Sequence, residues 1–431
     1  MKFYSLNKKA PAVSFKEAVI RGIAPDKGLY FPESFTPLPD SFFEQIEELS
    51  KEEIAFNAIH QFVSEEIPND ELREILKNTL DFDFPVVEIE ENVATLELFH
   101  GPTMAFKDVG ARFMAQCLGY FSKGEKNELT VLVATSGDTG GAVANGFLGV
   151  DGVKVVILYP SGKVSDIQER QLTTLGQNIT ALEVDGTFDD CQKMVKTAFL
   201  DDSILSEMKL TSANSINVAR WLPQMFYFLF AYKQAKKQGK PIVFSTPSGN
   251  FGNICAGLVA QKLGMPVDHF IAATNVNDTV PQFMVTKEYT PKPSKATISN
   301  AMDVGDPSNF IRIRHLFDDN FEKLSDNLSS SSFTDDETRS AMSAIYDKSG
   351  YVADPHGAVG YLGLKKHQES HGETYGIFLE TAHPVKFLDV VEKTINKKVA
   401  IPEQIKKVMD KEKKSIKIKS YDELKGFLLN Q

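Results

Sequence analysis

The chain has 431 residues, of which 42% are hydrophobic, and its formal net charge at pH 7 is −11. That length exceeds what one small core can organise and suits two or three folded units, which leaves room for an enzyme cleft. The acidic balance and the lack of a continuous basic stripe exclude a nucleic-acid-binding role, so an anionic ligand must be captured by local donors.

The first 94 residues are interpreted as a helical N-terminal unit. Apolar periodicity predicts helical stretches within residues 42–62 and 70–80, joined by proline-containing connectors. The segment GLYFP at residues 28–32 predicts a turn and a short extended piece. Nothing in this unit indicates chemistry.

From residue 95 onward, short apolar runs alternate with helical windows, which is typical of parallel sheets covered by helices. Residues 95–205 are predicted to form a smaller α/β domain with strands at 129–134, 153–158 and 179–184. Residues 206–431 are predicted to form a larger α/β cofactor-binding domain with C-terminal helices. Its expected elements are a helix at 217–237 and strands at 242–246, 269–274 and 375–379.

The predicted fold class is therefore α/β, with two open, mostly parallel sheet domains covered by helices and a helical N-terminal unit. A ligand crevice is expected at the carboxyl ends of the strands. Residues 291–295 and a serine run at 329–332 are predicted to be surface loops. The Lys- and Glu-rich tail from residue 393 is predicted to be solvated helix and linker.

Lys107 lies in the segment HGPTMAFKD at residues 100–108, next to apolar side chains. Partial desolvation would favour the neutral amine, which can form a Schiff base with an aldehyde. Most lysines in such surroundings lay the stem along the surface and keep the charge in water. Lys107 taken alone is therefore a weak indication of catalysis.

A second segment, SGNFGN at residues 248–253, follows a predicted strand and precedes a predicted helix. Such a turn directs several backbone N–H groups and a helix N-terminus to one point, which suits a phosphate dianion. An amine that seeks an aldehyde and a phosphate-binding turn together indicate pyridoxal 5′-phosphate, which carries an aldehyde and a phosphate on one ring.

The chain as a whole resembles the threonine synthases. The resemblance begins at residues 28–32, reaches about residue 387, and so covers nearly the whole chain. It is carried in order by residues 100–108 (HGPTMAFKD), 135–140 (TSGDTG), 212–217 (SANSIN), 248–253 (SGNFGN), 274–279 (TNVNDT) and 379–384 (LETAHP). It implies a pyridoxal-phosphate enzyme of the tryptophan synthase β-like fold, fold type II.

The resemblance also implies the reaction and the site. A threonine synthase is a carbon–oxygen lyase that converts O-phospho-L-homoserine and water to L-threonine and phosphate, the last step of threonine biosynthesis. Lys107 would be the catalytic residue. The implied cofactor-binding residues are Lys107, Asp138, Gly249, Asn250, Phe251, Gly252, Asn253 and Thr381. The implied substrate-binding residues are Thr135, Ser136, Thr139, Asn214, Ser215, Arg220 and Asn253.

Several of these residues have a simpler interpretation. The TSGDTG segment can be an ordinary helix N-cap, and Asn214 and Ser215 can cap the helix that follows them. Arg220 is more specific, because a guanidinium can hold a phosphate through two parallel hydrogen bonds. Related enzymes often have asparagine at the position of Asp138, where it faces the cofactor's ring hydroxyl; this chain has aspartate there.

Thr381 is implied to meet the pyridine nitrogen, where a neutral hydroxyl does not strongly favour a protonated ring. His100, His356 and His383 each lie beside glycine or proline, which favours a turn-forming role over catalysis. No cluster of His, Cys and carboxylate residues has metal-ligand spacing, and the three cysteines lack CxxC spacing. With no signal peptide and no long apolar span, we predict a cytoplasmic protein with no membrane partner.

Two alternatives remain open on the sequence. A related pyridoxal-phosphate dehydratase acting on threonine or serine would share Lys107, the glycine-rich turn and Thr381, but it would not need Arg220 and Ser215. A catalytically silent relative could bind phosphorylated metabolites, although the intact Lys107 argues against it. A nucleotide site is disfavoured because neither glycine-rich loop has GxxxxGK[ST] or GxGxxG spacing. The oligomeric state, monomer or dimer, is left open.

Overall fold

The computed structural model describes residues 1–125 and 128–430. The strands are β1 Phe3–Ser5, β2 Tyr30–Pro32, β3 Val86–Glu90, β4 Val93–Glu97, β5 Leu129–Ala134, β6 Val153–Pro160, β7 Ile179–Val184, β8 Lys209–Ser212, β9 Ile242–Pro247, β10 His269–Thr274, β11 Leu328–Ser332, β12 Tyr375–Glu380 and β13 Ile416–Ile418.

The helices before the second half of the chain are α1 Phe15–Arg21, α2 Asp40–Glu44, α3 Lys51–Val63, α4 Asn69–Thr79, α5 Lys107–Ser122, α6 Asp138–Phe147, α7 Asp166–Thr173, α8 Phe188–Ala198 and α9 Asp202–Leu205. Those that follow are α10 Val218–Trp221, α11 Met225–Ala235, α12 Gly252–Lys262, α13 Thr279–Thr286, α14 Phe310–Leu316, α15 Phe321–Asn327, α16 Asp335–Ser349, α17 Pro355–Gln368, α18 Leu388–Ile395, α19 Glu403–Met409 and α20 Tyr421–Leu429. Short 3₁₀ helices occupy Ile46–Glu48, Leu222–Gln224, Lys236–Gln238, Asn300–Met302 and Pro384–Phe387.

The chain forms two compact units. Unit 1 contains Pro32–Phe106 and Trp221–Ala400. Its six-stranded sheet has the order β11-β10-β9-β12-β4-β3, and only β3 runs antiparallel to its neighbour. The centre of the sheet is apolar on both faces, as expected of parallel strands that helices cover. Its core joins Val243 and Phe378 on the strands to Leu364 on α17.

Unit 2 contains Lys2–Phe31, Lys107–Arg220 and the C-terminal segment from Ile401. Its five-stranded sheet has the order β13-β7-β6-β5-β8 and is parallel throughout. Leu132 and Val156 of this sheet share a core with Leu424 of the last helix. The predicted α/β class with two mostly parallel, helix-covered sheets is confirmed. The predicted division at residues 94 and 205 stays a prediction.

Two sequence-based assignments were wrong. The serine run at 329–332 forms most of β11, a parallel edge strand whose Ser330 hydroxyl donates to the Ala272 carbonyl over 2.8 Å. The run was missed because serine has no strand propensity and backbone pairing decides the structure there. The tail also contains more than solvated helix, since β13 pairs with β7 and α20 buries Leu428.

The helix predicted at 217–237 is interrupted. It begins as α10, continues as the 3₁₀ turn Leu222–Gln224, and resumes as α11. Pro223 explains the interruption, because proline supplies no N–H group and its ring disturbs a regular helix. Within residues 1–125 and 128–430, no helix is both long enough and apolar enough to cross a membrane.

Candidate active site

Lys107 is the first residue of α5, and the backbone just before it is held by the segment that follows β12. The Phe106 N–H donates to the Thr381 carbonyl over 2.9 Å, and the His383 N–H donates to the Met104 carbonyl over 3.0 Å. These bonds form a short antiparallel contact within unit 1. They hold the backbone of residues 104–106. The side chain of Lys107, the next residue, is partly buried.

Lys386 supports the same loop and was not predicted from the sequence. Its side chain is 1% exposed, and its Nζ donates to the Thr103 carbonyl over 2.9 Å. Met104, the next residue, has a φ of 58°, a left-handed conformation that is uncommon for a side chain of this size. The loop before Lys107 is therefore held in an unusual conformation by surrounding contacts.

Helix α5 approaches Arg220 closely within unit 2. A Cβ atom on Gly110 would lie 2.3 Å from the Arg220 carbonyl oxygen, so only glycine permits this approach. The Arg220 side chain is 3% exposed and donates a hydrogen bond to the Ala213 carbonyl. Burial lowers the pKa of its guanidinium to about 10, an effect that the negative charge of Asp108 opposes. Arg220 stays a cation at neutral pH.

The TSGDTG segment connects β5 to α6. The Thr135 hydroxyl accepts hydrogen bonds from the N–H groups of Gly137, over 2.9 Å, and Gly140, over 2.8 Å, so it shapes the loop. The side chains of Ser136 and Thr139 make no hydrogen bond to any part of the chain that the structure describes. Both are partly exposed. These two hydroxyls can therefore bind a ligand.

Asp138 and Asn214 are held by neighbouring parts of unit 2. Asp138 is buried, and its Oδ1 accepts from Gln168 Nε2 over 3.0 Å. Asn214 Nδ2 donates to the Ala134 carbonyl over 2.9 Å, which joins the loop after β8 to the end of β5. Thr135, Asn214 and the residues next to them are thus brought together, with Ser215 following Asn214 in the chain.

In unit 1, residues 248–253 form the turn between β9 and α12. Phe251 has a φ of 61° and precedes the first residue of α12. The five backbone N–H groups of residues 249–253 find no hydrogen-bond acceptor among the described residues. Buried or half-buried N–H groups normally have partners, so a run of five without one indicates a site for an anion.

Neighbouring loops fix this turn from outside. Asn309 donates to the Asn250 carbonyl twice, from its backbone N–H over 3.1 Å and from Nδ2 over 3.0 Å. The Ser308 hydroxyl donates to Asn250 Oδ1 over 3.2 Å. The Asn253 side chain is used within the turn, where Nδ2 donates to the Pro247 carbonyl over 2.9 Å. Asn253 therefore offers a ligand its backbone N–H.

Gly249 lies against the 3₁₀ helix Asn300–Met302. A Cβ atom at this position would lie 2.6 Å from the Ala301 carbonyl oxygen and 3.0 Å from Met302 Cα. Neither Asn309 nor the segment at 300–302 was predicted to support the turn. No local sequence pattern could have identified them, because the chain folds back over about 50 to 60 residues to bring them to the turn.

The residues fit pyridoxal phosphate. The unpaired N–H groups at 249–253 and the N-terminus of α12 suit its phosphate. The Thr381 hydroxyl, 6% exposed at the residue level, makes no hydrogen bond within the described chain and so can meet a ring nitrogen. Lys107 supplies a partly buried primary amine. His383 instead accepts from the Val385 N–H over 3.0 Å and closes a turn.

Comparisons with known proteins also indicate a pyridoxal-phosphate enzyme. A family model described as pyridoxal-phosphate dependent enzyme matches residues 87–379. Models for the threonine synthase N terminus and the threonine synthase C-terminal region match residues 2–80 and 357–427.

Among curated relatives, threonine synthase from Escherichia coli strain K12 is 44% identical over 409 residues, which cover 94% of each chain. The crystal structure of threonine synthase from Escherichia coli matches with a TM-score of 0.92 and 41% identity over 100% of both chains. A pyridoxal-phosphate-bound threonine synthase from Brucella melitensis matches with a TM-score of 0.92 and 31% identity, covering 100% of this chain and 99% of that one.

Proposed function

The chain belongs to the threonine synthase family of pyridoxal-phosphate-dependent lyases, and from this premise we propose that it converts O-phospho-L-homoserine and water to L-threonine and phosphate. One observation on the molecule carries the cofactor part of the proposal. It is the run of five N–H groups at residues 249–253, which have no acceptor among the described residues. The substrate follows from family membership.

Lys107 is proposed as the catalytic residue. When bound, pyridoxal phosphate draws electrons from the α-carbon of an amino acid and so makes proton loss and elimination possible. Lys107 Nζ would hold the cofactor through its aldehyde carbon and would be a free amine once substrate is bound. The freed Nζ would then move protons at the α- and β-carbons of the substrate.

The remaining cofactor contacts are proposed residue by residue. The backbone N–H groups of Gly249, Asn250, Phe251, Gly252 and Asn253 would bind the cofactor phosphate. The Thr381 hydroxyl would meet the ring nitrogen. Asp138 would lie near the ring, although Gln168 already holds its Oδ1 in the structure.

The substrate contacts are proposed from the resemblance to the family. Ser136 and Thr139, with the N–H groups of the Thr135 loop, would bind the substrate carboxylate at the start of α6. Arg220, Asn214 and Ser215 would bind the substrate phosphate, together with Lys107, Thr139 and Asn253. A guanidinium at this position adds a charge-assisted interaction that a dehydratase acting on an alcohol would not need.

The reaction products test the proposal. Purified enzyme supplied with pyridoxal phosphate and O-phospho-L-homoserine should release inorganic phosphate and L-threonine in equal amounts. Incubation with L-threonine should yield little 2-oxobutanoate. The proposal fails if 2-oxobutanoate forms from threonine rapidly while phosphohomoserine remains intact.

We further propose a cytoplasmic location. Cys117, Cys191 and Cys255 are all free thiols buried in the protein, which fits a reducing compartment. Fractionation of cells that express the chain, followed by immunodetection, tests this directly.

A further inference from the structure

A pair of buried acids within unit 1 includes the residue that directly precedes Thr381. Glu380 is the last residue of β12, and Asp354 is the N-cap of α17; both are 0% exposed. The Asp354 N–H donates to Glu380 Oε1. A Cβ atom on Gly357 would lie 1.5 Å from Glu380 Oε2, so a side chain at position 357 would force the buried Glu380 carboxyl to move.

The two acids require a shared proton. Glu380 Oε2 and Asp354 Oδ2 are buried and accept no hydrogen bond from the residues that the structure describes. Burial, with repulsion from Asp354, raises the pKa of Glu380 well above its usual range. A proton on Glu380 gives it a donor to Asp354, whose side chain it contacts. The neutral Glu380 carboxyl then no longer repels Asp354.

His356 connects this pair to the phosphate-binding turn. Asp354 Oδ1 lies 2.6 Å from His356 Nδ1 and also accepts from the His356 N–H over 2.6 Å. His356 Nε2 accepts from the Ala301 N–H over 3.2 Å. Because Nε2 accepts, the hydrogen-bond pattern assigns the ring proton to Nδ1, where it is donated to Asp354.

Ala301 connects His356 to the phosphate-binding turn. A Cβ atom on Gly249, in that turn, would lie 2.6 Å from the Ala301 carbonyl oxygen. A continuous set of contacts therefore runs from Glu380, next to Thr381, through Asp354 and His356 to the wall of the turn at 249–253. It lies wholly within one compact unit. It joins the residue proposed for the ring nitrogen to the residues proposed for the cofactor phosphate.

We propose that Glu380, Asp354 and His356 form a proton-sharing framework that sets the position of the phosphate-binding turn relative to Thr381, with His356 and Glu380 acting as positioning residues for pyridoxal phosphate. This inference rests on the proposed function, because it takes the turn and Thr381 as the two ends of the cofactor site. The framework does not touch the reacting atoms. Its role is to hold the two contact points at a fixed separation.

Titration of the cofactor-free protein with pyridoxal phosphate, read by fluorescence and by the ³¹P resonance of the bound phosphate, tests this. His356→Ala should weaken cofactor binding by about 10- to 100-fold, the range expected when buried hydrogen bonds to a charged group are lost. It should also shift the ³¹P resonance. His356→Gln should recover much of the affinity, because one amide can accept from Ala301 and donate to Asp354.

Glu380→Gln tests the shared proton. The amide of the glutamine can accept from the Asp354 N–H and donate to the Asp354 carboxylate, so cofactor affinity should stay within about threefold of wild type. Glu380→Leu can do neither and should weaken cofactor affinity about tenfold or more. A matched control is His60→Ala, which removes a histidine that contacts Asn69 Oδ1 over 2.9 Å elsewhere in unit 1. That variant should bind the cofactor as wild type does.

Wild-type affinity and an unshifted ³¹P resonance in His356→Ala would overturn the proposal. An equal loss in Glu380→Gln and Glu380→Leu would overturn the shared proton. The readout is cofactor binding, so it is separate from catalysis. A wild-type protein that binds pyridoxal phosphate but forms no threonine contradicts the proposed function and leaves the framework standing.

Discussion

Gly249 is the position where a single methyl group should do most damage to the proposed cofactor site. The added Cβ of Gly249→Ala would meet the Ala301 carbonyl at 2.6 Å, so the turn must shift. We expect the dissociation constant for pyridoxal phosphate to rise about tenfold or more, a typical consequence of overpacking. Equilibrium dialysis of the cofactor-free protein measures it.

Gly426→Ala provides the matched control. Gly426 lies in α20, and a Cβ there would meet no atom within 4 Å. Alanine favours a helix over glycine, so this variant should keep wild-type cofactor affinity and gain up to about 1 kcal/mol of stability. Equal cofactor affinity in the two alanine variants would show that the turn at 249 tolerates a side chain.

Arg220 is the residue that should separate substrate binding from cofactor binding. Arg220→Met removes the buried charge but keeps an apolar side chain of similar length. We expect the KM for O-phospho-L-homoserine to rise about 10- to 100-fold through loss of a charge-assisted bond, with cofactor affinity unchanged.

Steady-state kinetics and cofactor titration of the same preparation measure both quantities. The control is Arg170→Met. In the wild type, the Arg170 side chain pairs with Asp166 over 2.8 Å and donates to the Met409 carbonyl. It should leave KM near the wild-type value. An unchanged KM in Arg220→Met would remove Arg220 from the substrate site.

Residue identity alone revealed the reactive candidates but not their supports. Lys107, the glycine-rich turn and Thr381 stand in motifs, so they could be proposed from the sequence. Asn309, Lys386 and Asp354 could not, because each reaches its partner from a distant part of the chain. His356 was interpreted as a turn residue, yet it bonds to Asp354 and Ala301.

At the scale of elements, the central strands were the most predictable. Strands β5, β7 and β10 have the bounds predicted for them, because parallel strands buried on both faces give uninterrupted apolar runs. The edges were not predictable in this way. Strands β11 and β13 pair on one side through backbone groups, so a serine run and a charged segment form strands without an apolar signal.

Three histidine rings stack near the C-terminal end of α17, which predicts a pH dependence of stability: His367 on the helix, His371 just after it and His269 on β10. The His367 ring lies 4.1 Å from the His371 ring and 5.0 Å from the His269 ring, measured between centroids. Burial, then the neighbouring His269 and His371, lowers the pKa of His367 to about 4. In the unfolded chain the His367 side chain has the ordinary histidine pKa of about 6.5, so it takes up a proton near that pH.

Between about pH 6.5 and pH 4 the unfolded state therefore binds more protons at this position than the folded state, and stability falls as pH falls. His367→Leu should lose less stability than wild type over that interval. Urea unfolding at pH 7 and pH 5 measures the difference, with His60→Asn as the control. Parallel losses in wild type and His367→Leu would contradict this account.

At the scale of the molecule, the sequence motifs already implied the family, and full-length matches to threonine synthases confirm it. The prediction succeeded because the motifs extend over both compact units instead of one loop. The grouping of segments into units is harder to read from sequence. Unit 2 gathers the N-terminal residues, the middle of the chain and its C-terminal end, a long-range arrangement that no local pattern encodes.

The most direct test of the central claim is where the cofactor attaches. Wild-type enzyme loaded with pyridoxal phosphate is reduced with borohydride, digested, and mapped by mass spectrometry. The account predicts a cofactor-derived mass on the peptide that contains Lys107. It also predicts its absence in Lys107→Ala, with threonine formation lowered by about 10³-fold or more. Attachment at another lysine, or full threonine formation by Lys107→Ala, would contradict the account.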